Sequence, residues 1–213
     1  MTKRKDKIIY GAPEKEAQRR YIAEKPIKKL LMFLGSGQQH EFMEKNYPKT
    51  EILSIDNDRE VGVRIAKKNQ RYIGLKELCD EGKEKFDGIH TDYMSEYGNP
   101  IMADMENLYK IMDNKGFLFI TVQRKREKFL PKGMGRARII TTTIQEVQKI
   151  MARRGIILEL ETLSEYISHP EYKERNKDAN WGCPMITYGF SWKKVKHKIT
   201  SIILPPDIIP SIH

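Results

Sequence analysis

Leu31-Met-Phe-Leu-Gly-Ser-Gly37 is an apolar run that breaks into Gly-x-Gly. A stretch of helical character follows, then a second apolar run, Glu51-Ile-Leu-Ser-Ile-Asp56, which ends in an acid 21 residues after Gly35. Strand, glycine turn, helix, strand and acid in that order make the first βαβ half of a nucleotide-binding fold, with the acid placed for a ribose diol. The third glycine of a dinucleotide fingerprint is missing: Gly35-Ser36-Gly37-Gln-Gln-His40 carries histidine there. That glycine lets the helix pack tightly while its N-terminus holds a pyrophosphate. An adenosine cofactor without phosphate has no need of it.

The chain has 213 residues, enough for one domain with a substantial core. No run of 18 apolar residues occurs, so no membrane span is expected. The start, Met1-Thr-Lys-Arg-Lys-Asp-Lys, lacks the apolar run of a signal peptide. Cys79 and Cys183 are too few for a disulfide framework or a cysteine-rich metal site, which points to a reducing, cytoplasmic setting and no metal. The net charge of +10 is unevenly spread. Residues 1–29 carry +6, residues 30–120 carry −4, residues 121–138 carry +6 and residues 139–213 carry +2. The cofactor half is mildly acidic and the excess sits in two segments beside it, as on a polyanion-facing surface. Two solvated basic segments are the bland alternative.

Periodicity and punctuation predict a leading helix over 13–25 and a first strand over 28–34. A helix over 38–46, a strand over 52–56 and a helix over 59–70 follow. Then come a short strand at 72–75, a short helix to about 83, a strand over 86–91 ending at Asp92, and a helix over 100–112. A strand over 117–122, a basic loop over 123–140, a helix over 143–154 closed by Gly155, and strands over 156–162 and 185–193 complete the pattern. The predicted organisation is a basic N-terminal extension (1–25), one domain (26–195) and an apolar, proline-rich tail (196–213), the tail a strap on the domain or a dimer contact. The long connection 163–184 holds His169-Pro-Glu-Tyr172 and Asn180-Trp-Gly-Cys183, a candidate lid without an evident mechanism.

This order resembles the class I S-adenosylmethionine-dependent methyltransferases over residues 26–195. The resemblance rests on the glycine turn, on Ile55-Asp-Asn-Asp58 through Ala66-Lys-Lys-Asn69, on His90-Thr-Asp92-Tyr93, on Asp113-Asn-Lys-Gly116-Phe-Leu-Phe-Ile120 and on Met185–Lys193. It implies a Rossmann-like three-layer α/β/α sandwich, a mostly parallel seven-stranded sheet with an antiparallel last strand. It implies S-adenosylmethionine as cofactor, with Gly35, Ser36 and Gly37 against its amino acid part, and Asp56 with Asn57 at its ribose. Asp92 and Tyr93 then flank the reacting methyl group. Asp92 is expected to orient or deprotonate an acceptor or to bond the cofactor's ammonium; capping the next turn is its alternative. Tyr93 and Tyr97 would stack a base or wall the acceptor site, if they are not ordinary half-buried aromatics. His90 reads as a packed core histidine, and Asp58 as a helix cap.

The chain departs from the family pattern at three places. Gly74-Leu-Lys-Glu77 offers no clear acid for adenine. The strand-four segment is not the Asn/Asp-Pro-Pro-Tyr of exocyclic amino methylation. Phe86-Asp-Gly-Ile-His-Thr-Asp92 is similar to strand four of RNA ribose 2′-O-methyltransferases, but their activating lysine falls at Thr121, with Lys125 further on. Arg124, Lys125, Arg126, Lys128, Lys132, Arg136 and Arg138 follow strand five, where loops border the ligand site, and suit phosphates. The expectation is a methyltransferase acting on nucleic acid, RNA before DNA, as a monomer or homodimer. A small-molecule or protein acceptor, and a non-catalytic binding module of the same fold, stay open. A nicotinamide oxidoreductase is disfavoured by His40.

Overall fold

The computed structural model describes residues 13–33, 38–56, 70–123, 135–168 and 183–195. They form α1 (Pro13–Glu24), β1 (Lys29–Phe33), α2 (Gln38–Asn46), β2 (Glu51–Ile55), β3 (Gln70–Arg71) and α3 (Leu75–Glu81). β4 (Phe86–Glu96), α4 (Asn99–Leu108), β5 (Met112–Gln123), α5 (Arg136–Arg153), β6 (Ile156–Ser168) and β7 (Cys183–Lys194) follow. The seven strands make one sheet in the order β3-β2-β1-β4-β5-β7-β6. β7 runs antiparallel to both its neighbours, and the other pairings are parallel. The mostly parallel seven-stranded sheet with an antiparallel last strand is therefore present. The strand order reverses between β1 and β4, and in an open α/β sheet ligands bind beyond the strand C-termini at such a switch point.

Both faces of the sheet are covered. Leu31, Leu53, Ile55, Ile89, Leu118, Ile120, Ile186 and Tyr188 share a core with α3, α4 and α5. Leu30, Met32, Ile52 and Phe119 share the other with Ile22 and Ala23 of α1 and Met43 of α2. Burial on two sides explains the continuous apolar strands. β7 is covered on both faces too: besides Ile186, Tyr188, Phe190 and Trp192 it buries Met185 and Thr187.

Several boundaries differ from expectation. The third strand is Gln70–Arg71, not 72–75: only two residues pair with β2, while Tyr72 is exposed and Leu75 opens α3 with its side chain buried. β4 does not stop at Asp92 but continues to Glu96, with a register shift against β5 between those residues. The fourth helix ends at Leu108, and Asp113–Gly116 belong to β5. α5 begins at Arg136, seven residues before the expected start, because buried Ile140 extends the stripe of Val147, Ile150 and Met151 by a turn. Gly155, at φ +74°, ends that helix as expected, and its carbonyl accepts from Val195 N–H at 2.8 Å. β6 runs to Ser168, so the long connection shortens to 169–182. The glycine turn, the expected helix over 59–70 except Gln70, which begins β3, most of the basic loop, that connection and the tail lie outside the described residues.

Candidate functional site

The C-terminal ends of β1, β2, β4 and β5 meet along one edge of the sheet. Phe33 and Ile55, the last residues of β1 and β2, are partners in register. Asp56 follows at once: its backbone N–H donates to Arg71 O at 3.2 Å, and its side chain is half-buried. Asp56 therefore follows the end of β2 next to the end of β1. Gly35, Ser36, Gly37 and Asn57 lie outside the described residues.

His40, in the place of the third glycine, is fully buried. Its Nδ1 lies 2.5 Å from Ser54 Oγ on β2, and its Nε2 lies 3.0 Å from Glu44 Oε1 one turn on. An imidazole thus fills the space between α2 and the sheet that the glycine of a dinucleotide fold leaves for close packing.

Asp92 is opposite Thr121 in the β4–β5 register, and its Oδ1 is shielded from solvent. Tyr93 is directed to the other face. Its hydroxyl donates to Asp104 Oδ2 on α4 at 2.9 Å, and its ring meets Phe33 edge-on at 5.1 Å. Burial first, then the Asp104 charge, raises the phenol far above its ordinary range. A phenol held this way is a poor base, so the residue is suited to walling the site beside the end of β1. The same burial raises the Asp104 carboxyl. Asp92 and Tyr93, expected to act together, are thus neighbours in sequence on opposite faces of the strand.

His90 is the packed core histidine that the alternation of β4 suggests, and it is also hydrogen-bonded. Its Nε2 lies 3.2 Å from Thr121 Oγ1, and its ring meets Phe119 edge-on. Thr121 Oγ1 lies 2.8 Å from Thr187 Oγ1 on β7. Gln18 of α1 donates from Nε2 to Thr187 at 2.6 Å and to Thr121 at 3.3 Å. All four residues are buried, as is Arg19. Sequence reading missed this group, although Gln18 and Arg19 lie four and three residues before buried Ile22, the spacing of one helix face. Thr121, where a 2′-O-methyltransferase would place lysine, is fully buried and engaged with these neighbours.

Tyr97 lies just past β4 and packs on the α4–α5 side of the core. Its hydroxyl is buried and finds no partner among the described residues. Burial raises the phenol, and the Glu146 carboxylate on α5 adds to the shift. A buried unpaired hydroxyl costs stability, so Tyr97→Phe is expected to leave the fold intact and raise its stability by about 1 kcal/mol. A thermal melt of the two proteins checks this; a lower melting temperature would mean that the hydroxyl has a partner.

Of the basic residues singled out, Arg136 opens α5 and Arg138 is exposed in its first turn. Arg124, Lys125, Arg126, Lys128 and Lys132 lie outside the described residues. Among the described residues no group of three or more His, Cys, Asp or Glu could hold a metal. No helix among them is long and apolar enough to cross a membrane.

No protein-family model and no curated protein sequence matches the chain. Solved structures do. A putative S-adenosylmethionine-dependent methyltransferase from Listeria monocytogenes superposes with TM-score 0.54 at 12% identity, over 85% of this chain and 97% of that one. A SAM-dependent methyltransferase from Archaeoglobus fulgidus gives 0.51 at 13%, over 84% and 92%. The plantazolicin methyltransferase BpumL, solved with a monoazolic desmethylPZN analog and SAH, gives 0.52 at 14%, over 85% and 82%. The chain has the Rossmann-like fold of class I S-adenosylmethionine-dependent methyltransferases.

Proposed function

We propose that this protein is an S-adenosylmethionine-dependent methyltransferase whose acceptor is a nucleic acid, RNA before DNA. The observation that carries the cofactor is Asp56, set at the end of β2 beside the exit of β1 in a sheet ordered β3-β2-β1-β4-β5-β7-β6. Asp56, with Asn57, would hold the ribose, and Gly35, Ser36 and Gly37 the amino acid part. The cofactor supplies a methyl group on a sulfonium, a good neutral leaving group. The protein's task is then mainly to hold the acceptor in line. Asp92 is the group on β4 available to orient it, with Tyr93 and Tyr97 as walls.

The nucleic-acid acceptor is supported by the segregated charge. α5 starts with Arg136 and Arg138, has no acid in its first turn and takes no side-chain cap from Gly135. Cations at a helix N-terminus are unfavourable by themselves, and phosphates would relieve that. A cytoplasmic setting agrees with the reduced cysteine usage.

Calorimetry tests the cofactor: the wild type is expected to bind S-adenosylmethionine, and Asp56→Ala to lose at least tenfold in affinity, since two charge-assisted bonds to a diol disappear. No binding by the wild type would favour a non-catalytic module. Methyl-labelled cofactor with fractionated RNA, DNA, protein and metabolites tests the acceptor. BpumL, solved with a monoazolic desmethylPZN analog, motivates the second reading, a small-molecule or protein acceptor. In that case neutralising Arg124, Lys125 and Arg126 would leave label transfer intact.

A further inference from the structure

The end of the sheet away from the cofactor edge is basic in its own right. It is made by the N-termini of β4, β5 and β6 and the C-terminus of β7. Lys115 and Lys193 are directly opposite each other in the antiparallel β5–β7 register, and both are exposed. Like charges so placed destabilise a sheet. Lys85 and Lys194 add two more cations: their ammonium groups bond the carbonyls of Lys110 and Met112, on one short segment. The nearness of Lys85, after burial, lowers the Lys194 ammonium. Arg154, exposed, lies over the Tyr109 ring beside them.

The acids at this end are largely engaged elsewhere. Asp87 accepts from the backbone N–H groups of Lys28 and Lys29, and Glu84 holds Lys29 and Arg71. Glu161 holds Lys25 at 2.6 Å. Glu159 reaches Lys193 only at 3.9 Å, with both side chains more than half exposed, which is worth little. Asp113 is the remaining exposed acid in the segment. The surface is also free of large apolar groups: among the described residues the exposed large hydrophobic side chain is Tyr72, next to β3 at the opposite margin of the sheet. Protein interfaces rely on aromatic anchors, and membrane-surface helices on inserted apolar ones. A surface richer in cations than in acids, and without apolar anchors, fits a phosphate backbone.

We propose that Lys85, Lys115, Lys193, Lys194 and Arg154 form a second phosphate-binding surface, which holds a distal part of the same polynucleotide that enters the cofactor edge. This rests on the nucleic-acid reading above and adds a length requirement to it. β5 runs from one end to the other. From Lys115 to Gln123 it spans eight steps of roughly 3.3 Å, so the two ends of the sheet are about 26 Å apart there. A stacked strand advancing about 3.4 Å per nucleotide needs about 8 nucleotides to reach both. Short ligands contact one surface only.

Fluorescence anisotropy with labelled RNA of about 6 and about 24 nucleotides, over a salt series, tests this. The double variant Lys115→Glu/Lys193→Glu changes two exposed side chains, and a thermal melt confirms that it is folded. For the long RNA it is expected to lose at least tenfold in affinity, and its salt slope to flatten by about 1.4 for two lost phosphate contacts. Short-RNA affinity is expected to be unchanged. Unchanged long-RNA binding overturns the proposal. So does an equal loss on both lengths, which would be an effect of net charge alone. If the wild type binds neither RNA at low salt, the nucleic-acid reading itself fails, and this surface with it. If only Arg124→Ala/Lys125→Ala/Arg126→Ala weakens binding, the reading stands and the second surface does not.

Discussion

Gly116→Ala is expected to destabilise the fold by about 3 kcal/mol or more. Gly116 lies in β5 where six of its residues, Met112 to Phe117, span the register distance that β4 covers with three, Phe86 to Gly88. The extra residues bulge and bring the β5 backbone against Asp87. A Cβ on Gly116 would overlap the Asp87 carbonyl oxygen and meet Trp192 Cζ2 at 2.6 Å. Neither neighbour can yield easily. Asp87 is pinned through its carboxylate by the backbone N–H groups of Lys28 and Lys29 at the start of β1, and the Trp192 indole donates to Asp113 O at 3.1 Å inside the same bulge. Overpacking typically costs 1–3 kcal/mol, and a clash with fixed backbone belongs at the upper end of that range or beyond it. Gly74→Ala is the control: no atom lies within 4 Å of a Cβ there, and its φ of −71° suits any residue. Chemical denaturation is expected to show a large loss of stability for Gly116→Ala and less than about 1 kcal/mol for Gly74→Ala. Comparable midpoints would mean that the strands can separate at Gly116.

The same bulge shows where sequence reading runs out. The apolar runs of β1, β2, β5 and β7 were legible because buried parallel strands require them, and the acid after β2 was legible from its spacing to the glycine turn. Asp113-Asn-Lys-Gly116 looks like the end of a helix, since those residue types favour turns. In the structure Trp192 and Asp87 hold them in the sheet, and both partners are remote in sequence. The early start of α5 was hidden for a similar reason: Arg-Ala-Arg reads as a solvated loop until Ile140 is seen to face the core. At the site, Asp56 was legible as the acid that follows β2, because that position is set within one chain segment. Gln18 was not, because its role is set by threonines on two other strands.

Those threonines carry the second large effect. Thr121→Val is expected to cost about 3 kcal/mol with almost no change in volume. The Gln18 amide has two hydrogens, and it directs Nε2 to both Thr187 and Thr121. Each threonine oxygen therefore accepts from Gln18, and one of the two hydroxyls donates to the other. If Thr187 donates to Thr121, Thr121 has a hydrogen for His90 Nε2; if Thr121 donates to Thr187, His90 must supply the proton between them. Either way Thr121 is the shared node. Valine there removes the Thr121 bonds of Gln18, Thr187 and His90 together, at a depth where each lost bond costs about 1–3 kcal/mol and water cannot replace it. Gln18→Met removes the same group from the α1 side. Because the two substitutions abolish overlapping bonds, a double-mutant cycle is expected to show the combined variant more stable than the sum of the singles by about 1 kcal/mol or more. Additive losses would mean that α1 is held by its apolar contacts, Ile22 and Ala23, and that the polar group only fills space. A coupled result would make α1 part of the architecture that sets Asp92, which faces Thr121 across the β4–β5 register, and not an appendage to the domain.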